Sequence, residues 1–225
     1  MIVKFEFQQI QNFNIDSVSV IGSFNQYNAI MGRMYKRDNT WYLDVELKEG
    51  EYYYKFLIND QIKLNDPSAN VYSPGKDNEV WSVLIMNHEN KRLYNNTQYT
   101  VNIENYNITN LVHEQQLDSN KRDFNLFLDK KVVARFEFNN ITGFHSATAV
   151  WCTPDGKIFN AAESILVSVE GNKSTFIWFI LQIDDNNHTY PEGLWTLKLF
   201  IDGSYILEDR FNLSKRNTYY AGMSM

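Results

Sequence analysis

The sequence predicts an all-β protein built as two β-sandwiches in tandem, and three observations carry that prediction. Nearly every periodic segment alternates apolar and polar residues with period two, the pleat spacing of a half-buried strand. Turn signals separate these segments: Lys48-Glu49-Gly50, Asp155-Gly156, Gly171-Asn172 and Asp202-Gly203 each fit a tight reversal. A polar, Asn-rich break, HENKRLYNNTQ at 88–98, divides the strands into two groups, each enough for a small two-sheet sandwich of about seven strands.

The first group opens with VKFEF (3–7) and SVSVI (17–21), rich in β-branched and aromatic residues. GSFNQYN (22–28) then leaves the sheet, because Gly and Asn accept turn dihedrals that Val and Ile avoid, and Tyr27 stands near its tip. WYLDVEL (41–47) and YYYKFLI (52–58) follow. In the latter, Tyr54 and Phe56 share one face while Tyr53, Lys55 and Leu57 share the other. With Tyr54 and Phe56 in the core, Lys55 projects to the surface beside Tyr53. A cation flanked by aromatics suits a sugar, whose hydroxyls accept its hydrogen bonds while rings cover the apolar C–H faces; a solvated lysine on an exposed sheet face is the plainer alternative. Asp66 and Pro67 form a structural turn, Tyr72 lies in the ANVYSPG loop (69–75), and WSVLIM (81–86) closes the group.

The second group runs through QYTVNI (98–103), VVARFEF (132–138), ATAVW (147–151), FIWFILQI (176–183) and LWTLKLFI (194–201). LVHEQQLDSNKR (111–122) tolerates a helix but has no sustained apolar stripe. Asp202-Gly203 between two alternating runs fits a type I′ turn. Trp41, Trp151 and Trp195 are core positions; Trp178, in FIWFIL, is also placed to cover an interdomain or dimer contact. The resulting division is 1–88, a linker at 89–97, 98–214, and a tail at 215–225. Limited proteolysis at the break is expected to release two folded β-rich pieces.

Composition narrows the function. The net charge of −6 without a basic run argues against a nucleic-acid partner. The N-terminal MIVKFEFQQIQ alternates rather than forming an apolar leader, and no long apolar span follows, so a cytoplasmic protein with no membrane partner is expected. Cys152 is the single cysteine, and His88, His113, His145 and His188 show no ligand spacing. There is no nucleophile elbow, P-loop or G-x-G-x-x-G, and acids such as Asp123, Glu163 and Asp184 read as solvated. No catalytic residues, metal or cofactor are expected. The sequons at Asn107 and Asn140 are what an Asn-rich chain produces by chance.

Taken together, VKFEF, SVIGSFNQY, WYLDVELKEGEYYYKFLIND, the Asn-Asp-Pro of 65–67 and WSVLIM resemble, over about residues 1–86, the family-48 glycogen- and starch-binding modules. Such modules occur in AMP-activated protein kinase β-subunits and at the N-terminal side of isoamylase-type enzymes. The resemblance implies that Tyr27 stands where the family commonly has a tryptophan platform for a glucose ring, and it supports Lys55 as a ligand contact. The second platform falls on Ile62 or Lys63, neither of which supplies a ring. The family's polar contact near the last strand falls at Trp81 or, one register away, among Asn78, Glu79 and Val80. Trp81 is then either a relocated platform or inward-facing core, and Tyr72 either lines the cleft or anchors its own loop. The implied carbohydrate-binding set is Tyr27, Tyr53, Lys55, Tyr72, Asn78 and Trp81. PEGLWTLKLFIDGSYILEDRFNL (191–213) resembles the terminal hairpin of bacterial immunoglobulin-like domains, so the architecture implied is two immunoglobulin-like β-sandwich domains in tandem. The expected function is non-catalytic binding of an α-glucan or maltooligosaccharide, with a protein partner or homodimer as a further expectation. The alternative is a protein–protein interaction module whose sugar site has decayed.

Overall fold

The computed structural model describes residues 1–69, 71–75, 79–89, 91–92, 101–112, 120–168, 170–171, 173–185 and 187–215. The architecture is all-β. Strands β1 (Ile2–Gln8), β2 (Val18–Gly22), β3 (Tyr35–Arg37), β4 (Thr40–Glu46), β5 (Gly50–Ile58), β6 (Ile62–Leu64), β7 (Val71–Pro74) and β8 (Val80–Met86) build the N-terminal sandwich. Strands β9 (Asn102–Thr109), β10 (Asp123–Asn125), β11 (Lys131–Asn139), β12 (Phe144–Cys152), β13 (Ile158–Val167), β14 (Thr175–Gln182), β15 (Gly193–Ile201) and β16 (Ser204–Ser214) build the C-terminal one. The first pairs a β1-β4-β3 sheet with a β2-β5-β8-β7 sheet that β6 extends beside β5. The second pairs β14-β11-β9 with β10-β16-β15-β12-β13.

Alternation explains the first core directly. Val3, Phe5 and Phe7 of β1 are buried and meet Tyr54 and Phe56 of β5, both fully buried. The Phe5 and Tyr54 rings lie 5.0 Å apart and those of Phe7 and Phe56 5.1 Å apart, both edge-to-face. Trp41 is buried in the same core. In the C-terminal sandwich, Phe136 and Phe138 of β11 pack with Trp151, Trp195, Leu197, Leu199 and Phe211.

The two sandwiches share apolar packing. β12 is buried at every position after Phe144, because Ala147, Ala149 and Trp151 face its own sandwich while Val150 and Cys152 join the core cluster of the other. Phe200 of β15 does the same, its ring 6.2 Å from that of Phe13. Burial pushes the Cys152 thiol up to about 11, which keeps it protonated and unreactive at neutral pH.

The Asp202-Gly203 turn also serves this junction. Both residues have positive φ, 51° and 82°, as a type I′ turn requires. A Cβ on Gly203 would lie 1.8 Å from the Asn65 carbonyl oxygen, so glycine is demanded by the approach as well as by the dihedral. Beside it, Asn65 Nδ2 donates to Ser146 Oγ at 2.9 Å, and Asp202 accepts from the Ser146 N–H at 2.8 Å and faces His145 Nδ1 at 2.6 Å. Gly203→Ala is expected to lower unfolding stability by more than about 1 kcal/mol in a urea titration, with the C-terminal hairpin and the junction both disturbed.

Shared packing alters what cleavage at the break should yield. Up to Arg92 the chain turns back on the first sandwich, with Asn87 N–H bonded to the Lys91 carbonyl and Arg92 Nη2 to the Ser68 carbonyl. Residues 90 and 93–97 of the expected linker, 113–119 of the helix-tolerant stretch and 216–225 of the tail lie outside the described residues. A chain cut between residues 93 and 100 should elute from size exclusion as one particle, because Val150, Cys152 and Phe200 would otherwise be stripped of their apolar cover. Elution as two half-sized species would refute the shared core.

Candidate carbohydrate-binding site

The loop that follows β2 is fixed by Asn25, which is buried. Its Oδ1 accepts the Gly22 N–H at 3.0 Å and its Nδ2 donates to the Val20 carbonyl at 2.8 Å. Gln26 and Tyr27 follow with φ of 56° and 59°. Two successive non-glycine residues in the left-handed region are strained, and such strain persists only where surrounding bonds over-determine it. Here the Tyr27 N–H bonds to the Gly22 carbonyl at 2.8 Å, and the ring is lifted out to 49% exposure.

Tyr27 meets Trp81 over the outward face of the β2-β5-β8-β7 sheet. The ring centroids are 5.3 Å apart at 72°, an edge-to-face contact. Trp81 pairs with Ser73 in β7 and is half-buried, so it points to the outward face rather than into the sandwich. Its edge lies against Gly75, where a Cβ would sit 2.6 Å from Cδ1 and Nε1. The Gly75 N–H bonds to the Glu79 carbonyl at 2.6 Å. Tyr53, whose N–H donates to Ser23 Oγ at 3.2 Å, and Lys63 complete the surroundings. Ile21, Tyr27, Tyr53, Lys63, Pro74, Gly75 and Trp81 together line a cleft of about 840 Å³, within the usual range for a small-molecule site.

Lys55 is placed differently from expectation. It lies on the outward face with Tyr53, as alternation requires, yet it is fully buried. The C-terminal sandwich docks on that part of the face: Glu163 of β13 accepts from Lys55 Nζ at 2.6 Å, and Glu79 does so at 3.3 Å. Lys55 is therefore an ion-pair partner at the junction and does not share an exposed surface with Tyr27. Lys63, whose side chain is 43% exposed, is the lysine that reaches the cleft, 2.8 Å from Glu79. In the sequence Lys63 stands only as a position without a ring; its outward register opposite Leu57, set by the β5–β6 pairing, brings it to the cleft.

The electrostatics follow the contacts. Burial pushes the Glu163 carboxyl above the usual range, against the opposing attraction of Lys55. For Glu79, burial pulls upward, but hydrogen bonds and attraction from Lys63 and Lys55 outweigh it and hold the carboxyl below its ordinary value.

Tyr72 and Ile62 do not join the cleft. Tyr72 is half-buried and donates to the Asp66 carbonyl at 2.8 Å, anchoring its own loop, and burial pushes its phenol well above the ordinary range. It lines a separate cleft with Pro67, His145 and Asp202. Asn78 lies outside the described residues. Ile62 is core. Asp66 is structural as expected, accepting from Tyr54 Oη at 2.8 Å and from the Ser68 N–H at 2.8 Å. Among the described residues no group of three or more His, Cys, Asp and Glu is placed to hold a metal ion, and no helix is long and apolar enough to cross a membrane.

No curated protein matches the chain. Among solved structures, an immunoglobulin-like protein from Pseudomonas aeruginosa is 18% identical, covering 51% of this chain and 97% of its own, with a TM-score of 0.38. A maltogenic amylase from S. marinus is 14% identical over 94% of this chain and 28% of its own, with a TM-score of 0.31. An alkylpurine DNA glycosylase from Pseudomonas fluorescens is 13% identical over 52% of this chain and 31% of its own, with a TM-score of 0.36. Residues 10–92, the segment that contains every residue lining the Tyr27–Trp81 cleft, match the family described as the glycogen recognition site of AMP-activated protein kinase.

Proposed function

We propose that this chain is a non-catalytic α-glucan-binding protein, and that a maltooligosaccharide segment of glycogen or starch occupies the Tyr27–Trp81 cleft. The observation that carries the reading is the pairing of two accessible rings 5.3 Å apart within a segment that matches a glycogen-recognition family. Rings cover the apolar faces of glucose, while Lys63 Nζ and the Tyr27 and Tyr53 hydroxyls meet its hydroxyl groups. The domain division at residues 89–97 belongs to the same proposal: the N-terminal sandwich supplies the cleft and the C-terminal one the support behind it.

Affinity follows from the number of rings. An aromatic contact is worth about 1 kcal/mol beyond burial, and with Lys55 withdrawn the polar contacts are few. Dissociation constants from about tens of micromolar to millimolar are expected for short maltooligosaccharides. Calorimetric titration with maltoheptaose, glycogen and β-cyclodextrin tests this. Absence of binding at millimolar concentration would overturn it and leave the interaction-module reading ahead. That second reading rests on β14, where Ile180 is 42% exposed and Phe176 and Trp178 beside it are half-buried; it predicts self-association or capture of a protein partner, lost in Trp178→Ala.

A further inference from the structure

We infer that Glu163, on the C-terminal sandwich, is a positioning residue for the Trp81 ring, so that the cleft of the N-terminal sandwich is complete only with the second sandwich docked behind it. This rests on the glucan reading above. The Glu163 side chain is 12% exposed and makes two contacts that converge on Trp81. Its Oε1 accepts the N–H of Val80, the residue immediately before Trp81, at 2.8 Å. Its Oε2 accepts from Lys55 Nζ at 2.6 Å, and that nitrogen lies 5.2 Å from the Trp81 ring centroid. One carboxylate therefore holds both the strand backbone that carries the ring and the cation that attracts its π-face.

Among the described residues the neighbouring charges leave this carboxylate no substitute. Glu79 also approaches Lys55, at 3.3 Å, but its other oxygen is committed to Lys63 at 2.8 Å, and its side chain is more open to water. Lys63 Nζ in turn lies 6.0 Å from the Trp81 centroid. Glu163 itself is set opposite Thr148 in the β12–β13 ladder, and Ala161, two positions earlier on the same face, packs against the core cluster of the N-terminal sandwich. The arrangement is a four-charge cluster with the indole against it. Without Glu163, Lys55 loses its shortest partner and the Val80 N–H its acceptor, and the ring is free to tilt away from Tyr27.

The test uses the full chain labelled with ¹⁵N at tryptophan indoles, the Trp81 signal being identified by its loss in Trp81→Phe, and titration with maltoheptaose. Glu163→Ala should move or broaden the Trp81 indole signal before sugar is added, leave those of Trp41 and Trp195 in place, and weaken binding about tenfold. Glu163→Gln, which keeps an acceptor for the Val80 N–H, should restore part of both effects. An unmoved Trp81 signal with unchanged affinity in Glu163→Ala, or in Glu163→Gln if the alanine variant does not fold, overturns the inference. If the wild-type chain binds no maltoheptaose, the glucan reading fails, and the indole signal alone then decides the positioning role.

Discussion

Lys55→Ala is expected to cost about 3–5 kcal/mol of unfolding stability, the scale for removing one member of a buried ion pair. The lysine is fully buried, and its loss leaves Glu163, 12% exposed in the wild type, with only the Val80 N–H, among the described residues, to compensate its charge. An exposed sugar-contacting lysine would instead leave the thermal transition nearly unchanged, so one denaturation curve separates the two roles. The pH dependence sharpens the test. Glu163 already has a raised carboxyl pKa, and Lys55 is the attraction opposing that rise. Removing Lys55 raises it further, so over the window between the unfolded value, about 4.3, and the new folded value the folded state binds more protons than the unfolded one. Stability of the variant must then fall as pH rises through that window. The deficit relative to wild type should be greatest above that window, shrink as pH falls through it, and be smallest below about pH 4.3. Lys55→Met combined with Glu163→Gln should recover most of the loss, since removing both charges together is often close to neutral. A Lys55→Ala variant within about 1 kcal/mol of wild type at pH 7 would show the pair to be solvated.

Lys55 also marks where the sequence was legible and where it was not. Alternation in β5 assigned Tyr54 and Phe56 to the core and Tyr53 and Lys55 to the opposite face, and the structure has that arrangement. Local sequence says which face a residue takes; it does not say what covers that face. The cover is Glu163, 108 positions further along, and an isolated strand acid reads as solvated until a second sheet is laid on it. β12 shows the same limit, since ATAVW reads as a one-sided strand and is buried on both sides. β13 has no legible strand pattern because IFNAAESILV interrupts the apolar alternation with Asn160, Ala161, Ala162 and Glu163, of which Ala161 and Glu163 face the N-terminal sandwich. β3 is three exposed residues, Tyr35–Arg37, with no pattern to detect. By contrast, turns are local, and Asp202-Gly203 carried its dihedral requirement in its composition. Trp81 was ambiguous for a related reason: its strand is apolar on both sides of the ring, and only pairing with Ser73 in the outward row resolves its direction.

On the glucan reading, Trp81→Ala should weaken binding by about five- to thirtyfold, the largest functional effect of any single change in the cleft. Two contributions combine. The ring itself is a stacking surface worth about 1 kcal/mol, and it is also the seat against which Tyr27 rests edge-on at 5.3 Å. Losing it leaves Tyr27 on a strained loop with no partner ring, so the second stacking surface is lost in part as well; about 1.4 kcal/mol for each tenfold gives the range. Stability should fall by less than the roughly 3–5 kcal/mol of a fully buried aromatic, because Trp81 is half-buried and faces outward. Tyr27→Ala provides the control: at 49% exposure its removal should leave the thermal transition nearly unchanged while weakening binding several-fold, and Tyr27→Phe should keep most of the affinity because the ring face remains. Measured by calorimetry with maltoheptaose, full-strength binding in folded Trp81→Ala and Tyr27→Ala would place the sugar elsewhere on the molecule. A loss in Trp81→Ala alone would mean that the indole works without Tyr27, and that the strained Gln26-Tyr27 backbone serves the loop rather than the ligand.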